Sequence, residues 1–250
     1  PEIQNKAFVK KVWTSLEKWI FPSLKIVFTV NSSIAKLYKH RYGNKIQIIR
    51  NIPSKTNISL LKNKKDLKLP EDKKIIILQG AGINIDRGAE ELLEAIALDS
   101  NLFLCIVGSG DVIETLKTRA KKTDLKNRLL FTGKLPYNEM MQYTINADVG
   151  VSLDKDTNIN YRFSLPNKIF DYIKAEIPVV VSNLPEICNI INKYKVGEIT
   201  KSHQAIEILN AINKVLCNDY KKQIKLAKKE FVWEKEVECL LSAYRNIEFT

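Results

Sequence analysis

The sequence has no long apolar run. No stretch approaches the ~18 uninterrupted apolar residues of a membrane-crossing helix, and no signal-type segment opens the chain. It begins Pro1-Glu2, without an initiator Met, so a further N-terminal portion is expected. Glycine (9) and proline (8) are sparse, which excludes collagen-like and Gly-rich low-complexity classes. Histidine is scarcer still, with His40 and His203 alone. The four cysteines, Cys105, Cys188, Cys217 and Cys239, lie far apart and form no CxxC pair. No zinc or other metal site is therefore expected. The thiols read as reduced and mostly buried, in a cytoplasmic protein.

At ~150 residues per domain, the length corresponds to about 1.7 domains. Hydrophobic residues make up 45% and charged residues 27%, which is ordinary globular composition with ample material for a core. Lys and Arg number 40 against 28 Asp and Glu, leaving a net charge of +12. Such a chain prefers anionic partners: nucleic acid, an acidic membrane surface or a phosphorylated small molecule. The lysines are scattered over 6–18, 62–74, 117–128 and 221–229, with little of the aromatic interleaving that stacks bases. No nucleic-acid partner is expected. The charge reads as serving a phosphorylated ligand and a place beside an anionic membrane, at its inner face.

Short β-branched runs alternate with amphipathic segments. The runs are Lys25–Val30, Lys45–Ile49, Lys74–Leu78, Leu102–Val107, Arg128–Phe131, Asp148–Leu153 and Pro178–Val181. Several are apolar almost throughout, as strands buried on both faces of a parallel sheet must be. Helical patterns cover Ser33–Tyr42, the segment after Gly88, Tyr137–Asn146, Leu165–Ala175 and Gln204–Leu216. The alternation predicts an α/β class with a doubly wound sheet. A boundary falls near Asn51–Leu69, around Pro53, Ser54 and Asn57 and the Lys-rich 62–68. What precedes it reads as the tail of an earlier α/β domain, too small to close a core alone.

The first helix carries Phe8, Val9, Val12, Trp13, Leu16, Trp19 and Ile20 on one stripe, with Lys6, Lys10, Lys11 and Lys18 mostly elsewhere. It suits an anionic membrane surface or packing on its own domain. The strand and helix that follow at once favour packing.

Ligands of open α/β sheets bind outside the carboxyl ends of the strands. After Lys74–Leu78 come Gly80, Ala81 and Gly82, then Arg87 and Gly88 at a helix start. Glycines admit close backbone approach, a helix start presents free N–H groups, and Arg offers a donor fork for phosphate. A tight turn with a surface arginine has the same letters. After Leu102–Val107 come Gly108, Ser109, Gly110 and Asp111, the last a candidate N-cap. After Phe131 come Gly133, Lys134 and Leu135, whose backbone suits a flat base or an ordinary turn. After Leu153 a polar loop leads to Leu165, Pro166, Asn167, Lys168 and Asp171. Lys168 and Asp171 stand three apart on one helical face, as a phosphate cation with a diol acceptor or as a surface ion pair.

Together these segments resemble the group 1 family of glycosyltransferases, which use nucleotide-sugar donors and the GT-B architecture of two Rossmann-like domains. The matching pieces run in the family's order: Phe28–Ser32 with Arg50–Pro53, Gly80–Gly82 through Arg87-Gly88, Ile106–Gly110, Phe131–Gly133, and Ser164–Tyr172 ahead of Pro178–Val181. The resemblance implies an acceptor-domain remnant with hinge over 1–53. It implies a Rossmann-like donor domain over 54–230, and a helix over 231–250 that crosses back toward the first domain. It also implies a hexosyl- or related transferase that retains anomeric configuration, takes a UDP-, GDP- or ADP-sugar as substrate without a further cofactor, and serves a saccharide or glycolipid acceptor. Arg87 and Lys168 would hold the diphosphate as catalytic cations. Gly80, Ala81, Gly82, Gly108, Gly110, Leu165, Pro166 and Asn167 would line the donor. Phe131–Leu135, with Lys134, would line the base, and Asp171 would take the ribose hydroxyls.

The family's usual first acid falls at Phe163, the second is Asp171 rather than Glu, and an Arg often found five residues before the first-loop cation is Gly82 here. Asp154-Lys155-Asp156 has metal-ligand spacing but lies in an irregular loop, so the diphosphate is expected to rest on protein cations. Other readings stay open: an epimerase-like enzyme of the same architecture, or a non-catalytic module that binds nucleotide or nucleic acid.

Overall fold

The computed structural model describes residues 7–43, 46–56, 61–121 and 125–248, with side chains to 245. Lys6, Lys45 and Asn57, named above, lie outside the described residues. The first part holds helix α1 (Ala7–Ile20), strand β1 (Val27–Thr29), helix α2 (Ser32–Tyr42) and strand β2 (Ile46–Ile48). β1 and β2 pair in parallel as a two-stranded sheet. Asn31 caps α2 by accepting from the Ile34 N–H, and Gly43 closes it in the left-handed conformation.

The second part is a continuous β–α alternation. Its strands are β3 (Lys74–Gly80), β4 (Leu102–Gly108), β5 (Leu129–Gly133), β6 (Val149–Ser152), β7 (Val179–Val181) and β8 (Gly197–Ile199). Between them run α3 (Ala89–Ala97), α4 (Ile113–Lys121), α5 (Tyr137–Ile145), α6 (Ile159–Arg162), α7 (Lys168–Lys174) and α8 (Pro185–Tyr194). After β8 come α9 (Ala205–Cys217), α10 (Lys221–Glu230) and α11 (Trp233–Glu248). The six strands are all parallel, in the order β5-β4-β3-β6-β7-β8. The chain builds outward from β3, then returns to its other side through β6. That is the Rossmann order, and the crevice between β3 and β6 is its topological switch point.

The strand period of two sorts the core into two layers. Ile75, Ile77, Phe103, Cys105 and Val107 pack with α7, α8 and α10 through Phe170, Ile173, Ile187, Ile190 and Ile224. Ile76, Leu78, Leu104, Ile106 and Val151 pack on the other face with Leu92, Ile96, Leu116, Ile208 and Ile212 of α3, α4 and α9. Each fully buried side chain of this size contributes about 1.5–3 kcal/mol.

α11 joins the two parts. Glu236 accepts from the Arg50 guanidinium at 2.6 and 2.9 Å and from the Arg50 backbone N–H at 2.7 Å. The Trp233 N–H donates to the Pro53 carbonyl, and Tyr244 stacks on Phe28 with ring centroids 6.0 Å apart. Asn31 donates to the Phe163 carbonyl, while Ser32 and the Ser33 N–H donate to Glu186.

Several expectations need correction. α1 buries none of its residues; Phe8 and Trp19 are 80% and 77% exposed, so the stripe does not pack on its own domain among the described residues. Cys105 is buried, but Cys217 and Cys239 are exposed and Cys188 is half-buried, because they ride on helices rather than on the doubly covered β4. Burial pushes the Cys105 thiol up to about 12. Asp111 does not cap α4; its carboxylate accepts from the Ile85 N–H in the neighbouring loop.

Candidate functional site

Two loops meet at the switch point: residues 80–88 after β3 and 153–164 after β6. The first is stitched to the loop after β4. The Ser109 N–H donates to the Gly80 carbonyl, and the Ile83 N–H to the Ser109 carbonyl. Gly108 pairs in register with Gly80, and a Cβ on Gly108 would lie 1.8 Å from the Gly80 oxygen, so no side chain fits. Gly88 precedes α3 at φ +74°, and a Cβ there would lie 2.4 Å from the Leu153 carbonyl oxygen. That contact lets the two loops close on each other. The Lys155 N–H completes the seam by donating to the Asp86 carbonyl at 2.8 Å.

The seam brings Arg87 to Asp154. Arg87 Nη1 lies 2.8 Å from Asp154 Oδ2, and the Asp154 side chain is wholly buried. The Arg87 guanidinium stands 4.6 Å over the Tyr161 ring. Arg87 Nε and Asp154 Oδ1 are both buried without a hydrogen-bond partner among the described residues. Lys168 enters from α7: a methyl added to Gly80 would lie 3.9 Å from its Nζ. Burial pushes the Lys168 ammonium below the ordinary lysine range; Asp154 opposes that shift and Arg87 adds to it. Two cations therefore share one buried counter-charge at the mouth of the crevice.

Asp171 lies one turn further along α7, facing inward. It is 8% exposed. Tyr137 donates its hydroxyl to Asp171 Oδ1 at 2.9 Å, and Gln79 Nε2 lies 3.0 Å from Oδ2. Gln79 Oε1 in turn accepts from the Thr144 hydroxyl at 2.6 Å. Burial raises the Asp171 carboxyl to about 6, while Tyr137, Gln79 and Lys174 hold it back. Burial and the nearby carboxylate push the Tyr137 phenol above its ordinary range.

The structure thus gathers Gly80, Gly82, Arg87, Gly108, Gly110 and Lys168 around the strand ends, with Asp171 behind Lys168. Ala81 and Asn167 are exposed, and Leu165 and Pro166 are half-buried. Leu165 faces a groove of about 420 Å³ that also takes in Val30, Asn31, Ile34 and Phe163. Lys134 is exposed and Leu135 half-buried, in the loop that leads to Tyr137. Asp154 and Asp156 do not converge: Asp154 pairs with Arg87 and Asp156 with Arg162. Among the described residues no group of three His, Cys, Asp or Glu side chains is placed to share a metal ion. A larger cavity, about 900 Å³, is lined by Pro53, Lys55, Lys174 and Phe231 among others. No loop that follows a strand of the large sheet lines it, so the switch point is the candidate site.

Sequence pattern offers Asp154 only as half of a metal-ligand spacing, not as the partner of Arg87, and does not single out the Tyr137 phenol. Asp154 carries one further signal, its place directly after β6 at the switch point. Tyr137 lies 34 residues from its partner, and only the fold brings them together.

The model of the "Glycosyl transferases group 1" family matches residues 61–233. A search of curated proteins finds no match. Among solved structures, HepE from Anabaena in complex with UDP and glucose superposes with a TM-score of 0.74 at 15% identity, over 94% of this chain and 66% of that one. A glycosyltransferase from Rickettsia africae gives 0.74 at 16% identity, over 94% and 67%. Sucrose-phosphate synthase from Thermosynechococcus elongatus gives 0.72 at 19% identity, over 95% and 62%. The chain thus spans about two thirds of the length of these neighbours, and at such identities the likeness shows the GT-B fold. Since the family match covers well over half of its residues, this chain belongs to the group 1 glycosyl transferases.

Proposed function

We propose that this chain holds the nucleoside-diphosphate end of a sugar donor, residues 54–230 being the donor unit, and serves transfer of the sugar to a polysaccharide or glycolipid acceptor. The observation that carries this reading is the convergence of Arg87 and Lys168 at the switch crevice. Transfer breaks the bond between the anomeric carbon and the diphosphate oxygen, which keeps the electron pair. The acceptor oxygen forms the new bond and passes its proton to the departing diphosphate. Negative charge grows on the diphosphate as the bond lengthens, so fixed cations aimed there stabilise the transition state more than the ground state. Asp154 holds Arg87 in place and favours the protonated form of Lys168. Arg87 Nε, buried and unpartnered, has a donor to spare for phosphate oxygen. We read the reaction as retaining, with the diphosphate on protein cations.

HepE, bound to UDP and glucose, supports a nucleoside-diphosphate donor here. The groove beside Leu165, between α2 and the post-β6 loop, is the side from which we expect the acceptor. The exposed Trp13 and Trp19 of α1, beside Lys10, Lys11 and Lys18, support work next to an anionic membrane.

Titration calorimetry with UDP, GDP and ADP tests this reading. At least one is expected to bind, with Arg87→Ala and Lys168→Ala each weakening it about tenfold or more, the scale of a hydrogen bond to a charged group. Transfer is expected to fall by more than ~10² in either variant. Wild-type affinity and transfer in both variants would remove these residues from the mechanism.

A further inference from the structure

The Asp171 carboxylate is buried yet close to the proposed donor site, and both of its oxygens are occupied. Oδ2 accepts from Gln79, which is fixed from behind by Thr144. That side is a built core contact: Gln79 and Thr144 are fully buried. Oδ1 accepts from Tyr137, whose surroundings differ. Tyr137 is 42% exposed and opens α5 directly after the loop Gly133–Pro136. The ammonium of Lys174 lies 5.4 Å from its ring centroid. One oxygen is thus held by the core and the other by a half-exposed phenol at the rim.

An ionised carboxylate accepts hydrogen bonds and donates none. Oδ1 has two lone-pair sites and Tyr137 fills one; because the Gln79 side is closed by the core, a ligand hydroxyl must arrive from the Tyr137 side and displace the phenol. We propose that Tyr137 is a specificity-determining residue: its phenol occupies the position on Asp171 Oδ1 that a ribose hydroxyl of the donor takes, and so sets how much the ribose counts in binding. The inference rests on reading Asp171 as the ribose acceptor. With Tyr137 in place, a bound ribose exchanges one hydroxyl for another and gains little. Without the phenol, Asp171 is left short of a donor, and the ribose makes good the loss. A nucleotide lacking ribose hydroxyls has nothing to exchange, so Tyr137 stays where it is and its removal leaves affinity alone.

The test compares UDP, GDP and ADP, each with its 2′,3′-dideoxy counterpart, by calorimetry at pH 8, where Asp171 is ionised because its carboxyl titrates at about 6. Tyr137→Phe keeps the ring and removes the hydroxyl. Its affinity for the preferred ribonucleotide is expected to rise about tenfold, the scale of a hydrogen bond to a charged group, with dideoxy affinity unchanged. The ratio of the two is the readout, since loss of packing would move both alike. In Asp171→Asn the ratio is expected to fall toward one, and adding Tyr137→Phe to that variant is expected to change it no further. A ratio that stays constant or falls in Tyr137→Phe overturns the proposal while leaving the donor site standing. A wild-type chain that binds none of the nucleotides overturns both.

Discussion

α1 and α3 are both strongly amphipathic, yet they end in opposite states. α3 buries Ala89, Leu92, Leu93, Ala95 and Ile96; α1 buries nothing. The strands divide the same way. β4 is buried at all seven positions, whereas β1 and β2 have no buried residue. An apolar stripe declares only that a face seeks a partner; the partner comes from the sheet beside it. Six parallel strands supply two covered faces, and two strands do not. The first part is instead held from outside, by Glu186, Glu236, Tyr244 and the Phe163 carbonyl. The large sheet stabilises itself and the site at its edge, while the first part depends on polar tethers.

The sharpest way to break this contrast is at Gly88, where the two site loops close. Gly88→Ala puts a methyl 2.4 Å from Leu153 at a φ of +74°. Left-handed backbone strain and overpacking add to about 2–5 kcal/mol. Thermal melts should show a loss of that size, together with lost nucleotide binding as Arg87 is displaced. Gly43 is the control in the first part, with a φ of +69° and open space around it. There the strain alone, about 1–2 kcal/mol, is expected. Equal losses at both sites would mean that the loop seam is not tightly packed.

A smaller effect separates function from stability within the large part. The Asp171 carboxyl is raised from 3.8 to about 6. Its folded form therefore binds a proton more tightly than its unfolded form. The contribution is most stabilising below pH 3.8, declines as pH rises through about 6, and above that leaves the fold about 3 kcal/mol less stable than an unperturbed group would. Asp171→Asn should flatten stability against pH between 4 and 6 and raise the melting temperature at pH 8, with the ribose preference lost. Tyr137, Gln79 and Lys174 face this carboxylate and all oppose its shift, so burial is the cause being tested. A variant whose stability follows the wild-type pH curve would refute it.

Legibility in the sequence follows the same division. β3 and β4 stand out as KIIIL and LFLCIV because strands covered on both faces need apolar residues at every position. β8 does not, since Gly197-Glu198-Ile199 is short and carries a charge used at the edge by Lys214 and Tyr220. α10, KKQIKLAKKE, reads as a run of lysines, although Ile224 and Ala227 anchor it in the core. α8 is masked by its polar letters, although Pro185 marks its start. At the candidate site, Arg87 and Lys168 are legible as candidate cations because they stand at or near helix starts in the segments that follow β3 and β6. The counter-charge Asp154 and the phenol of Tyr137 are not, because each acquires its role from a partner 67 or 34 residues away. Local pattern carries the fold and the two cations; tertiary pairing decides how their neighbours are spent.

The smallest of the three effects bears on the tether of the first part. Glu236 is almost wholly buried, and its Arg50 partner is one-third exposed. Arg50 also lies over the Phe231 ring at 5.2 Å. Glu236→Gln keeps the shape and one acceptor but removes the charge. The amide oxygen can still accept from both guanidinium nitrogens, but an NH2 donor now meets the Arg50 backbone N–H, and a half-buried arginine is left uncompensated. A fully buried pair costs about 3–5 kcal/mol to break; with water reaching Arg50, about 1–3 kcal/mol is expected here. The loss should be local. Amide exchange should quicken over β1, α2 and β2, with Ile75–Leu78 of β3 as slow as before, because those residues open only with the whole sheet. Exchange that quickens equally in β3 would show one cooperative body, and the contrast between a self-supporting sheet and a tethered one would then fail.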